Sequence, residues 1–202
     1  DVIARQLERQ ITGGTAPAAL APASAVNAPA ADGDTKVKPS QEEFLRLHSS
    51  SARGAEAQTG IPAAFMVAQA AHESGWGKRE ILNADGSSSH NLFGIKAGAG
   101  WTGKVAQVTT TEVIDGQPRK VVAKFRAYAS YDESFRDYAQ LMKDSPRYAQ
   151  VVAAGNSVQG FAQGLQRAGY ATDPAYADKL TRVINTTLRM QRASLSSQGN
   201  TA

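Results

Sequence analysis

The sequence predicts an α+β fold, mainly α: a helical domain with a small β-hairpin lobe. Three observations carry this reading. Apolar residues recur at helical spacing through most of the chain after residue 40. Two extended stretches flank a single Asp115-Gly116 pair, the strongest short hairpin signal. All fourteen aromatic residues fall between Phe44 and Tyr176, which sets the folded domain at residues 40–190.

In chain order, Val2, Ile3, Leu7 and Ile11 lie near helical spacing and stop at Gly13-Gly14, as the end of a preceding helix would. Residues 13–39 are mostly Ala, Pro, Gly, Ser, Asp and Thr without an aromatic; they cannot bury enough surface to offset ordering entropy and read as a linker. Ser40 and Glu43 form a capping box that opens a helix over 41–58, with Phe44, Leu47, Ser51 and Ala55 along one face. Pro62 restarts the chain at a first helical position, and PAAFMVAQAAHES continues as alanine-rich helix to Gly75, which puts Glu73 at its C-terminal end. A polar loop, NADGSSSHN, leads into NLFGIK and then into the extended stretches 104–114 and 119–128. Ser130 with Glu133 is a second capping box, and Phe135, Tyr138, Leu141 and Met142 mark a helix to Asp144. Ser157 opens a shorter helix through Phe161, Leu165 and Ala168, and Asp173-Pro174 caps a last one carrying Tyr176, Leu180, Ile184 and Leu188. Residues 191–202 are expected to be a disordered tail.

Composition narrows the chemistry. The 202 residues include no cysteine, which removes disulfides, thiolate zinc sites, iron–sulfur ligation and cysteine nucleophiles. No apolar run approaches the roughly 18 residues a membrane-spanning helix needs, so membrane insertion is not expected. The net charge is +4, but the bases are dispersed: residues 1–39 are balanced, and Lys78-Arg79 and Arg119-Lys120 are the adjacent basic pairs before the tail. Without a basic stripe or stacking platform a nucleic-acid partner is not expected, while an anionic polymer stays open. The chain begins at Asp1 without a signal-like segment and reads as a piece of a longer or processed protein.

Two familiar patterns fail on context. Residues 98–105, GAGWTGKV, satisfy G-x-G-x-x-G, yet an extended segment rather than a helix N-terminus follows, so nothing is there to cradle a phosphate. His72-Glu73 begins H-E-x-x-H, but Trp76 stands where the second histidine belongs, and His48 and His90 are isolated. No metal site is expected.

QAAHESGWGK (69–78) is more informative. The negative end of the helix dipole disfavours an anion at Glu73, Trp76 is placed to desolvate it, and Gly75 and Gly77 let the chain bend so that the carboxyl faces a cleft. Each effect raises a carboxyl pKa, and an acid still protonated near neutrality is what glycoside hydrolysis needs on its leaving-group oxygen. Spacing alone also allows a helix-ending acid in solvent. Asp132 and Asp137 read as acids of a helix's first turn and surface, and Tyr176, in phase with Leu180 and Ile184, reads as packing.

QAAHESGWG, NLFGIK, TTTEV (109–113), FRAYASYDESFRDY (125–138) and AGYATDPAYADKL (168–180) together resemble, in order, glycoside hydrolase family 73. The resemblance is to the C-terminal glucosaminidase domain of the flagellar peptidoglycan hydrolases, and DVIARQLERQ with the Ala/Pro linker resembles the junction to their upstream rod-assembly domain. It implies a lysozyme-like fold that hydrolyses the β-1,4 bond from N-acetylglucosamine to N-acetylmuramic acid, without metal or organic cofactor. Carried onto this chain, Glu73 matches the general acid, Glu112 the second carboxylate on the β-lobe and Tyr170 a tyrosine near the catalytic centre. Asn91 and Phe93 match cleft-lining positions, and Trp76, with Trp101 as a second candidate, is placed to stack on a sugar face. Peptidoglycan strands, flagellar rod proteins through the upstream domain, and the periplasm, reached by export with rod components, are the implied partners and location. Three mechanisms stay open: inversion, retention, and attack by the substrate's own acetamido group with Tyr170 assisting. A muramidase or lytic transglycosylase, and a non-catalytic wall-binding or rod-scaffold module, are the competing readings.

Overall fold

The computed structural model describes residues 41–114 and 117–199. The predicted helix end at 1–12, the linker at 13–39, Ser40 and the Asp115-Gly116 turn lie outside the described residues. Among those described, the elements are α1 Gln41–Thr59, α2 Ala63–Ser74, β1 Val105–Ile114, β2 Gln117–Arg126, α3 Tyr131–Asp144, a 3₁₀ turn Pro146–Tyr148 running into α4 Ala149–Ala153, α5 Val158–Arg167 and α6 Tyr176–Gly199. This is the mainly helical α+β arrangement with one hairpin lobe that the sequence predicts.

Helix α2 is the axis of the domain. Nine of its twelve residues are buried, and α1 and α6 pack directly against it. A helix can be buried on nearly every side only if it is apolar almost all round, and the alanines at 68, 70 and 71 let the neighbouring helices approach closely. Phe65 meets Phe161 of α5 at 5.2 Å, while Phe93, from the segment after the polar loop, stacks on Tyr138 of α3 at 4.0 Å and 10°. These rings, with Phe135, Tyr148, Tyr170 and Tyr176, belong to one continuous core.

The caps explain where helices begin. The Ser130 hydroxyl accepts from Glu133 N at 3.3 Å, and the Glu133 carboxylate accepts from Ala129 N at 2.9 Å, a capping box displaced by one residue on its return arm. Ser157 accepts from Gly160 N at 3.0 Å, and Asp173 accepts from Ala175 N at 2.9 Å just ahead of α6. Helix α6 continues to Gly199, past Met190 where the sequence reading ended the domain; Gln191, Arg192, Ala193 and Leu195 are good helix formers and no glycine or proline interrupts them.

β1 and β2 pair antiparallel in unbroken register from Val105↔Arg126 to Ile114↔Gln117. Pro118 opposite Val113 is tolerated because both strands of a two-stranded sheet are edges. Among the described residues the packed part of the hairpin is its base: Ala106, Ala123 and Phe125, with Val108 partly buried beside them, join Ile81 and Ala127 in a second apolar cluster separate from the main core.

His48 on α1 lies in that main core, 2% exposed, with Phe44 at 4.3 Å, Tyr131 at 4.5 Å and Phe135 at 6.1 Å. Its Nδ1 has no hydrogen-bond partner among the described residues, and burial pushes the imidazole down from 6.5 to about 4. The folded state therefore holds a neutral ring. The stability this contributes is complete above pH 6.5 and is lost as the pH falls towards 4, because the unfolded chain takes up the proton first. Urea unfolding from pH 7 to pH 4 should show the wild type losing about 3 kcal/mol more than His48→Leu across that window.

Candidate active site

Glu73 sits in the last turn of α2 and is 6% exposed. Its Oε1 accepts a hydrogen bond from the Tyr176 hydroxyl at 2.9 Å, while Oε2 accepts none among the described residues. The Tyr176 hydroxyl in turn accepts from Gln69 Nε2 at 3.2 Å, and the Gln69 carbonyl oxygen accepts from the Tyr138 hydroxyl. A directed chain of donors thus runs from α3 through α2 and α6 to the carboxyl, and every member is buried. Burial raises the Glu73 pKa from 4.5 to about 7; the Tyr176 hydrogen bond and the nearby Arg79 charge oppose that rise and are outweighed.

The chain leaves α2 through three successive left-handed residues: Gly75 at φ 59°, Trp76 at 61° and Gly77 at 76°. Trp76 N and Arg79 N bond back to Ala71 O and Ser74 O at 2.8 and 2.9 Å, and the Ser74 hydroxyl accepts from Gly77 N at 2.9 Å. A tryptophan at positive φ costs roughly 1–3 kcal/mol, which the surrounding hydrogen bonds must outweigh. At Gly75 the φ of 59° disfavours any side chain, and a Cβ there would also press on the Arg79 guanidinium, whose Nε would lie 2.9 Å away and would have to move aside. The tight turn therefore brings a cation over the end of the helix, beside the acid.

The other residues singled out by sequence fall into three groups. Trp76 is half-buried, with its ring edge-on to Phe44 at 5.8 Å. Tyr170, Asn91 and Phe93 are interior: the Tyr170 hydroxyl donates to Phe93 O at 3.0 Å, and its ring lies 5.8 Å from that of Tyr176. Asn91 is used by the backbone, donating to Ile95 O at 2.9 Å and Arg126 O at 2.8 Å and accepting from Ile95 N at 3.1 Å. Trp101 covers the Arg126 guanidinium at 4.7 Å. Glu112 lies on β1 opposite Arg119, and its side chain is outside what the structure describes.

Tyr176, Gln69 and Tyr138 are the residues sequence reading passed over. Tyr176 does share the apolar phase of α6, but its hydroxyl ends on the carboxyl. One local signal was available: Gln69 and Glu73, four apart, are a polar stripe on a buried helix that is apolar up to its last turn. His72 stands beside the acid, edge-on to Tyr176 at 5.3 Å, and burial with Lys179 and Arg79 lowers its pKa, so it is neutral at pH 7. Among the described residues no group of three or more His, Asp or Glu is arranged to hold a metal ion, and no helix is long and apolar enough to cross a membrane. The arrangement can hold a carboxylic acid neutral near pH 7, with one oxygen bonded and the other free to carry a proton.

Comparison with known proteins identifies the family. The glucosaminidase family, described as mannosyl-glycoprotein endo-beta-N-acetylglucosaminidase, matches residues 49–189. The peptidoglycan hydrolase FlgJ of Salmonella typhimurium is 50% identical over 151 residues, which are 75% of this chain and 48% of FlgJ. A probable N-acetylmuramidase of Lactococcus lactis is 32% identical over 167 residues, 80% of this chain and 37% of that protein. The chain spans about half the length of the FlgJ relatives from Salmonella and Escherichia coli. Among solved structures, the glycoside hydrolase domain of Salmonella typhimurium FlgJ superposes with a TM-score of 0.68 at 44% identity, covering 80% of this chain and 98% of that domain. The peptidoglycan hydrolase of Sphingomonas sp. A1 gives 0.66 at 48% identity, covering 76% and 94%. With a family match over most of its length and solved relatives covered almost end to end, the chain belongs to the glucosaminidase family.

Proposed function

We propose that this chain is a peptidoglycan hydrolase that cleaves the β-1,4 bond between N-acetylglucosamine and N-acetylmuramic acid, with Glu73 as general acid. The observation that carries the reading is the buried carboxyl held near pKa 7 with Tyr176 on Oε1. Because Oε1 is occupied as an acceptor, the proton resides on Oε2 and passes to the glycosidic oxygen as the C1–O bond breaks. Negative charge then develops on a carboxyl already receiving a donor, so the hydrogen bond strengthens as the proton leaves. Water supplies the hydroxyl to C1, and Glu112 on the hairpin is the carboxylate that activates it. A separation of roughly 6.5–9.5 Å between the two would admit that water and invert, whereas roughly 5–5.5 Å would favour a covalent intermediate.

In this reading Tyr170, Asn91 and Phe93 act from inside. Tyr170 holds the backbone of the Asn91–Ile95 segment, Asn91 ties that segment to the hairpin base, and Trp76 is the ring available to a sugar. The site acts outside the cytoplasm, in the periplasm, with flagellar rod proteins met through an upstream segment. The similarity to a probable N-acetylmuramidase makes cleavage at the other glycosidic bond the second reading.

Borohydride reduction of digested peptidoglycan, read by mass spectrometry, should label N-acetylglucosamine ends; muramic ends would establish the second reading. Glu73→Gln should lower kcat by about 10³-fold. Because ionising a buried carboxyl opposes folding, the stability given by a raised pKa is present below 4.5 and lost as pH rises through 7. Relative to the difference between them at pH 4, the same variant should therefore gain about 3 kcal/mol on wild type above pH 7 in urea unfolding. The wild-type pH–rate profile should fall through about 7 as Glu73 loses its proton. Tyr176→Phe removes a bond that favours the anion, so its falling limb should move to higher pH while kcat drops about tenfold.

A further inference from the structure

The hairpin is held at one end. Among the described residues, Arg126–Asp137 is the one ion pair between hairpin and helices. Arg126 Nη1 donates to both oxygens of Asp137, at 2.9 and 2.8 Å, and the Tyr128 hydroxyl donates to Oδ2 at 2.6 Å. The side chains of the pair are only 13% and 25% exposed. Trp101 closes the outer side: its ring lies 4.7 Å from the guanidinium, its Nε1 donates to Lys104 O at 2.8 Å, and Gly103 is bare because a Cβ there would stand 2.4 Å from the indole. On the inner side Arg126 N donates to Ile95 O at 2.9 Å, and Asn91 binds both carbonyls. Asp137 itself is rigidly placed, because its helix α3 is anchored in the core by Phe135 and Tyr138.

We propose that Asp137 is a positioning residue for hydrolysis: through Arg126 and Tyr128 it sets the angle at which the hairpin leaves the helical body, and so the place of Glu112. The proposal rests on the reading of Glu112 given above. Its force comes from leverage. Glu112 is in register with Arg119, seven residues along β2 from Arg126, which is about 23 Å at the rise of an extended strand. A tilt of about 5° at the base then moves Glu112 by about 2 Å, and a misplacement of about 1 Å is enough to cost a catalytic group on the order of 100-fold. A latch acting at such a distance touches no substrate, yet it fixes where the second carboxylate stands.

Asp137→Asn weakens the latch while keeping its shape, and Arg126→Met with Asp137→Leu removes both charges without stranding either. Each is to be compared with wild type in amide hydrogen exchange, thermal midpoint, and kcat and KM on peptidoglycan. The expected result is exchange at least tenfold faster across residues 117–126 and unchanged across 63–74, with kcat down about 10- to 100-fold and KM within threefold. Unchanged hairpin exchange, or a loosened hairpin with wild-type kcat, overturns the proposal. So does exchange that rises equally in 63–74, because Asp137 would then serve general stability alone. Glu112→Gln assayed in parallel keeps the two readings apart: wild-type activity there removes the role of Glu112, while the exchange data decide by themselves whether Asp137 fixes the hairpin.

Discussion

The helical body is arranged around one requirement, that a carboxylic acid be kept uncharged inside a protein core. A lone ionised carboxylate in that position would be prohibitively expensive, so burial holds the proton on and raises the pKa of Glu73 to about 7. Burial without a partner would leave a polar group unsatisfied. The Tyr138–Gln69–Tyr176 chain resolves this by delivering one donor to one oxygen. The three links come from α3, α2 and α6, so the acid's environment is a property of how three helices meet.

The hairpin is organised on the opposite principle. Its apolar cluster is small and does not merge with the main core, so the hydrophobic effect does little to fix its orientation. Polar, directional contacts do that instead: the Asn91 side chain on backbone groups and the Arg126–Asp137 pair under Trp101. Directional bonds specify an angle, whereas apolar burial specifies only proximity. On the proposed role of Glu112, a hairpin that must set the place of a carboxylate is better held by the former.

These differences account for what could be read from the sequence. Features with short-range causes were legible: the capping box at Ser130, the hairpin around Asp115-Gly116, and Glu73 at a helix end between an alanine-rich run and two glycines. The helix that Ser157 caps and the one after Asp173-Pro174 were found for the same reason. What escaped were consequences of tertiary contact. Tyr176 lies 103 residues from the carboxyl it bonds, and its helical phase describes its ring correctly while saying nothing of its hydroxyl. Asn91, Phe93 and Tyr170 are interior residues, a placement no local pattern distinguishes from a cleft wall. Asp137 looks like any exposed helical acid until Arg126 and Tyr128 arrive from another part of the chain.

The placement of Tyr176 at the start of α6 also has a bearing on the order in which the molecule is built. Helix α2 can form early, from local propensity, but a contact closing a loop of this length must wait for the C-terminal helix to dock. Without that docking Glu73 lacks the Tyr176 bond, and part of the burial that raises its pKa is absent. On the proposed role of Glu73, loosening of α6 would expose and ionise the carboxyl and so lower activity, even with α2 itself intact.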